Sequence, residues 1–354
     1  MKYTEHQLQT IRYSMLSEPG DALAHLLFEH FGPELVEKFR HPSTRRSMAQ
    51  FLNSQATELE TNLGPLIERF ELRSKAINLE ATIELAARWG AKPVFFEAIP
   101  VLGAKFLDLG HHAPYLLWVA GDQHALEVDF AGVVGTREPS ATGLNNTSKL
   151  VRLLNRPIVS GGAKGIDAAA HRAALDQGQT TVAFMAGGLD KAYPLDNWSL
   201  FHEMVRSGGA LVSELVPGTA PTRFRFLQRN RLIAASANEL FVVQAAYRSG
   251  SRNTANSARM LGREVFAIPD AWSDKASQGT NAMIQEGLAR PFQLGRHYEV
   301  EPSQQRKRVI DAIRNGASDA EAIAIESGLP LREVRTEVRA LEMAGEFIPT
   351  VMKP

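Results

Sequence analysis

Along the first hundred residues apolar side chains recur at 3.6-residue spacing in 22–31, 66–72 and 83–89, which predicts amphipathic helices there. Two stretches, 31–39 and 63–70, each carry a Gly-Pro pair, Gly32-Pro33 and Gly64-Pro65. Proline is tolerated at the first helical position, where its missing N–H is not needed, so both pairs read as helix starts; a helical-repeat or hairpin DNA module is the alternative. The segments 93–109 and 114–121 predict short strands leading out of the helical part.

From Asp129 the texture changes to short apolar runs, each followed by a Gly- or Ser-marked turn and then a helical pattern. Strands are predicted at 130–134, 158–160, 181–186, 210–213, 240–244 and 265–268. Helices are predicted at 143–154, 166–177, 198–207, 228–236, 254–261 and 281–288. This alternation implies a mainly parallel sheet covered on both faces, an extended Rossmann-like α/β fold. After 301–303 the period is helical again, with three short helices and an extended 347–351, the pattern of a winged helix-turn-helix. The third of these helices alternates Arg332, Glu333, Arg335, Glu337, Arg339 and Glu342. Such near-neutral charge suits a protein contact or a structural role better than base reading. The expected organisation is a helical module over 1–110, a Rossmann-like domain over 111–300 and a winged-helix-like domain over 301–354.

Composition narrows the chemistry. At 354 residues, 44% hydrophobic and 22% charged, the chain is long enough to bury a sizeable core. The absence of cysteine excludes disulfides, thiol catalysis and iron–sulfur ligation. No apolar run reaches the roughly 18–20 residues that span a bilayer, and the first residues are polar and amphipathic. A soluble cytoplasmic protein with no membrane partner is expected. The net charge of zero conceals unlike segments: −4 over 1–127, +5 over 128–300 and −1 over 301–354. Only the middle is basic, and a local field is what attracts phosphate.

The turns after the first two predicted strands of that middle segment read Val134-Gly135-Thr136-Arg137 and Ser160-Gly161-Gly162-Ala163-Lys164-Gly165-Ile166-Asp167. In a doubly wound sheet these turns lie at the carboxyl edge, near the topological switch point where ligands bind. Their glycines let backbone N–H groups face an anion, and Arg137 and Lys164 supply full charges. Glycines required only by tight turns are the plainer alternative, but they leave the two cations unexplained. Neither turn carries the G-x-x-x-x-G-K-S/T or G-x-G-x-x-G pattern, so ATP hydrolysis and dinucleotide chemistry lose their usual support. Asp167 and His171 share a helical face without a third ligand or a nucleophile, which favours a turn-holding role for Asp167 over a metal pair or a catalytic dyad.

A second informative stretch interleaves Arg223, Phe224, Arg225, Phe226, Arg229, Asn230 and Arg231, cations for phosphates alongside rings for bases. Asn230 could equally bond loop carbonyls. The turn Ser249-Gly250-Ser251 presents further N–H and hydroxyl groups, and Lys191 stands in another glycine turn, 187–194. Together these make Gly135, Arg137, Ser160, Gly161, Lys164, Gly165, Lys191, Arg225, Arg229, Asn230, Arg231, Ser249, Gly250 and Ser251 the candidate DNA-binding residues, with no catalytic residue, metal or cofactor expected.

The motifs VVGTREPSATG (133–143), IVSGGAKGIDAAAHRAAL (158–175), AGGLDKAYPLDN (186–197), LVSELVPGTAPTRFRFLQRNRLIAASA (211–237), SGSRNTANSA (249–258), VFAIPD (265–270) and QGTNAMIQEGLA (278–289) resemble, in order and spacing, the DNA-processing protein A (DprA, or Smf) family. The resemblance covers about half the chain. It implies a Rossmann-like domain that binds single-stranded DNA without sequence preference, dimerises, helps load the RecA recombinase during natural transformation and performs no enzymatic turnover. It also places the family's DNA-contacting basic residues on Arg137 and Lys164. The chain departs from the family pattern in Arg252 and Asn253, which follow the Ser-Gly-Ser turn. The alternative is a nucleotide-binding enzyme or sensor of the lysine-decarboxylase-like phosphoribohydrolase type, using the same nest for a nucleoside monophosphate. Its P-G-G-x-G-T-x-x-E pattern is absent, the nearest stretch being Ala186-Gly187-Gly188-Leu189-Asp190.

Overall fold

A computed structural model of the chain describes residues 3–54, 62–191, 193–271, 273–292 and 304–343. The chain forms two compact units, 1–294 and 295–354. The first is built on a nine-stranded sheet of β1 (Ala91–Val94), β2 (Leu117–Gly121), β3 (Phe130–Val134), β4 (Ile158–Ser160), β5 (Thr181–Phe184), β6 (Ala210–Ser213), β7 (Ala237–Val242), β8 (Glu264–Ala267) and β9 (Arg290–Pro291). Their order is β1-β2-β6-β5-β4-β3-β7-β8-β9. The pairs β1–β2 and β2–β6 are antiparallel and the other six are parallel.

All six strands predicted after Asp129 are present, and their helices follow them. Buried on both faces, they read as short apolar runs, as parallel strands do. Alternation still decides the destination of each side chain. Leu117 and Val119 enter one core with Val182, Phe184 and Val242, whereas Trp118 and Ala120 enter the other with Ala183 and Met185. The mainly parallel, Rossmann-like α/β class is thus the observed one.

The strand expected over 93–109 is corrected. Only Ala91–Val94 is extended, and Pro100–Phe106 is a helix. Pro100 opens it at a position that needs no N–H, and Glu127 accepts from the free Val101 and Leu102 N–H groups at 3.1 and 3.3 Å. Leu102 and Phe106, four apart, then share its buried face.

Before the sheet lie the helices Glu5–Leu16, Ala22–Phe31, Leu35–Lys38, Pro42–Ser54, Leu63–Ser74 and Leu79–Arg88, around a core of Tyr13, Leu27, Phe39 and Phe70. The two Gly-Pro pairs differ in role. Pro65 sits in the first turn of Leu63–Ser74, whereas Gly32, at φ 73°, closes the helix Ala22–Phe31 before a short helix begins.

The second unit contains the helices Gln304–Arg314, Ala320–Ser327 and Leu331–Met343, packed on Val309, Ile323, Val334 and Leu341. The extended segment expected at 347–351 lies outside the described residues, so three helices are seen and no wing is described. In the third helix Arg335 approaches Glu321 at 3.4 Å, and Glu337 approaches Arg306 at 3.8 Å. Among the described residues no helix is long and apolar enough to cross a membrane.

Candidate nucleic-acid interface

The chain runs from β3 outward through β4, β5 and β6, then returns to set β7 against the other side of β3. The switch point therefore falls between β3 and β7. A cleft of about 770 Å³ opens there, walled by the turns after β3, β4 and β7 and by the start of the helix Arg223–Ser236. Tight packing holds these turns together. The Thr136 N–H donates to the Gln244 carbonyl at 2.7 Å and the Ile166 N–H donates to the Thr136 carbonyl at 3.1 Å. Gly165 adopts φ 81°, and a Cβ there would lie 2.4 Å from the Thr136 oxygen, so only glycine permits this approach.

Three helices point their N-termini at the cleft: Ile166–Leu175, Arg223–Ser236 behind its cap Thr222, and Gly250–Met260 behind its cap Ser249. Each adds partial positive charge and free N–H groups. Arg137, Arg223, Arg229 and Arg248 add full charges, and among the described residues Asp167 is the only acid on the wall. Arg137, Arg223 and Arg248 form no salt bridge among the described residues. The Arg137 guanidinium lies over the Phe226 ring at 4.7 Å, Arg229 lies 5.7 Å from it, and the Tyr193 ring is centred 5.8 Å away. Phe224, Leu227 and Tyr193 are all exposed nearby.

The cleft brings together Gly135, Arg137, Arg229, Asn230, Ser249, Gly250 and Ser251. Gly161 and Lys191 line an adjoining depression that shares Tyr193 and Phe226 with it. Arg229 is buried and donates to the Gly161 and Phe184 carbonyls, so it braces the floor. Asn230 donates to the Gly250 carbonyl at 3.4 Å and to Asn253 at 3.3 Å, which ties two walls together.

Five candidates stand elsewhere. Ser160 is fully buried and its hydroxyl donates to the Val133 carbonyl at 2.6 Å. Gly165 packs against the Thr136 and Arg137 backbone and is not on the cleft wall. Lys164 pairs with Asp196 beside the cleft, both side chains more than half exposed. Arg225 turns away to Glu18, at 3.1 and 3.3 Å, and to the Ala220 carbonyl. Arg231 is buried against Glu214 at 2.7 Å. For Arg225 and Arg231 the fold matches each charge with a largely buried carboxylate, so neither stands free at the cleft wall.

Arg248 and Tyr193 complete the wall and were absent from the candidate set, while Arg223 and Phe226 reach it from the Arg–Phe stretch read above. The available signal was an arginine immediately before a Ser-Gly-Ser turn at a strand end. Arg252, beyond that turn, stacks 5.3 Å from the Tyr247 ring and pairs with Glu286.

Asp167 and His171 make no dyad. Asp167 accepts from the Ala163 N–H at 3.3 Å and so holds the turn. Burial raises its pKa, opposed by the charge of Arg229 and by that N–H. Arg229 is itself lowered to about 10, chiefly by burial, and remains charged at neutral pH. His171 bonds Thr181 through Nδ1 at 2.7 Å, and burial with the Arg229 charge lowers its pKa to about 3.

Comparison with known proteins agrees with this architecture. The DprA of Streptococcus pneumoniae superimposes with a TM-score of 0.62 at 29% identity, covering 83% of this chain and 96% of that one. The DNA processing protein A of Helicobacter pylori, described as having a unique single-stranded DNA binding mode, gives a TM-score of 0.50 at 30% identity over 54% of this chain and 87% of that one. A putative DprA of Mycobacterium tuberculosis is 38% identical over 275 residues, 71% of this chain and 70% of that protein. Residues 100–298 match the family described as DNA recombination-mediator protein A. With five of the seven motifs contributing to one cleft and this match spanning more than half its length, the chain belongs to the DNA recombination-mediator protein A family.

Proposed function

We propose that the chain binds single-stranded DNA in the switch-point cleft and acts as a recombination mediator that helps load a RecA-type recombinase during DNA uptake. The observation that carries the reading is the Arg137 guanidinium stacked on Phe226 in an open cleft ringed by helix N-termini. Phosphates would meet Arg137, Arg223 and Arg248, while bases stack on Phe226 and Tyr193, a pairing of charge and ring that tolerates any sequence. A duplex hides its base faces and cannot use those rings. Lys164 and Lys191, beside the cleft, would extend the basic track. The chain is proposed to do this as a homodimer through its sheet domain, in the cytoplasm, without covalent turnover, cofactor or metal.

The test is fluorescence anisotropy with a labelled single strand, competed by the same sequence as duplex and by a nucleoside monophosphate. Competition by unlabelled single strand, with little effect of duplex or mononucleotide, is expected. Displacement by the mononucleotide would support a nucleotide-binding enzyme or sensor instead.

A further inference from the structure

Beyond the cleft, two exposed tryptophans stand together on the surface among the described residues. Trp198, 41% exposed, opens the helix Trp198–Arg206, whose buried face is supplied by Leu200, Phe201 and Met204. Trp89, 45% exposed, follows the last residue of the helix Leu79–Arg88. Their rings meet edge to face at 6.1 Å, and the His202 ring lies 4.1 Å from that of Trp198.

The position of this pair is fixed relative to the cleft. Asn197, immediately before Trp198, donates to the Gly162 and Ala163 carbonyls at 2.9 and 3.1 Å, and Ala163 is on the cleft wall. The same loop carries Tyr193, which faces Phe226 inside the cleft. Lys164, on the Gly162–Ala163 turn, pairs with Asp196, next but one before Trp198. Tyr193 in the cleft, Asp196 against Lys164 and Trp198 thus follow one another along a single loop. Arg88 lies beside Trp89 in sequence, its side chain 75% exposed and 3.9 Å from Glu84 in a solvent-exposed pair.

We propose that Trp198 and Trp89 form a second base-stacking platform, which takes up the single strand after it leaves the cleft past Lys164. The proposal rests on the cleft reading above. Exposed rings match the bases of a single strand, and Lys164 and Arg88, held only in solvent-exposed pairs that contribute little, can exchange Asp196 and Glu84 for its phosphates. An apolar protein partner would have no use for the charges. In this account the cleft holds the first few nucleotides, and the tryptophans extend the bound length and keep the outgoing bases unstacked.

The test compares the full chain with Trp89→Ala/Trp198→Ala and Trp89→Phe/Trp198→Phe double variants, using thymidylate strands of about 4 and about 15 nucleotides. Anisotropy reports affinity and tryptophan emission reports stacking. The alanine variant is expected to bind the short strand as the unmodified chain does, and the long strand about fivefold or more weakly, with less quenching. The phenylalanine variant should recover the affinity. Equal long-strand affinity in the alanine variant would overturn the proposal while leaving the cleft reading intact. So would a change in sedimentation mass without a change in affinity, since that would make the pair a contact between copies. Failure of the unmodified chain to bind either strand, or binding of both that ignores Arg137→Ala, would overturn the cleft reading and this proposal with it.

Discussion

Three arginines, Arg137, Arg223 and Arg248, line the cleft without a carboxylate partner among the described residues, and replacing all three by alanine gives a quantitative test. Each phosphate neutralised on a single strand contributes about 0.7 to the slope of log affinity against log salt. The triple variant should therefore lose about 2 from that slope, equivalent to roughly 100-fold in affinity near 0.1 M salt. Arg137 also leaves the Phe226 ring, so its single replacement is expected to cost more than either of the others. The assay is anisotropy of a labelled strand across a salt series, with thermal melting to verify the fold. Arg225→Ala is the control: its guanidinium is engaged by Glu18, so the melting temperature should fall while the slope stays. An unchanged slope in a folded triple variant, or an equal loss of slope in Arg225→Ala, would refute the assignment of free and engaged charges.

Phe226→Ala removes a ring and no charge. It should weaken strand binding by about 1–3 kcal/mol, roughly five- to 150-fold, at an unaltered salt slope; a changed slope would mean that the ring acts only by orienting Arg137. His171 predicts acid sensitivity. Its folded pKa of about 3 lies below its ordinary 6.5, so between these values the unfolded chain takes up a proton that the folded chain refuses. Its contribution to stability therefore falls with pH through that window, by about 1.4 kcal/mol per unit. Urea unfolding at pH 7 and pH 5 should show a smaller drop for His171→Gln than for the unmodified chain, and equal drops would contradict the burial argument.

Much of this was legible in the chain, for identifiable reasons. Strands buried on both faces are short apolar runs, and each ends in a glycine or serine turn that must face the carboxyl edge, so Gly135, Arg137 and Ser249–Ser251 could be placed at one cleft. The helix Pro100–Phe106 was not legible as such, because its apolar run satisfies both periods and its deciding cap, Glu127, comes 25 or 26 residues later. The partners of Arg225 and Arg231 were hidden for a similar reason: Glu18 lies 207 residues away and Glu214 lies 17 away. Both arginines look free in sequence and are engaged in the fold. Arg248 joins the cleft only because β7 returns beside β3, an order that local patterns do not encode.

Photocrosslinking tests the central claim most directly. A strand carrying 5-iodouracil at successive positions would be bound to the full chain and irradiated, and the modified peptides mapped by mass spectrometry. The account predicts adducts on Phe226 and Tyr193, lost on competition with unlabelled single strand. Adducts confined to the helix Leu331–Met343, with the cleft rings unmodified, would contradict it.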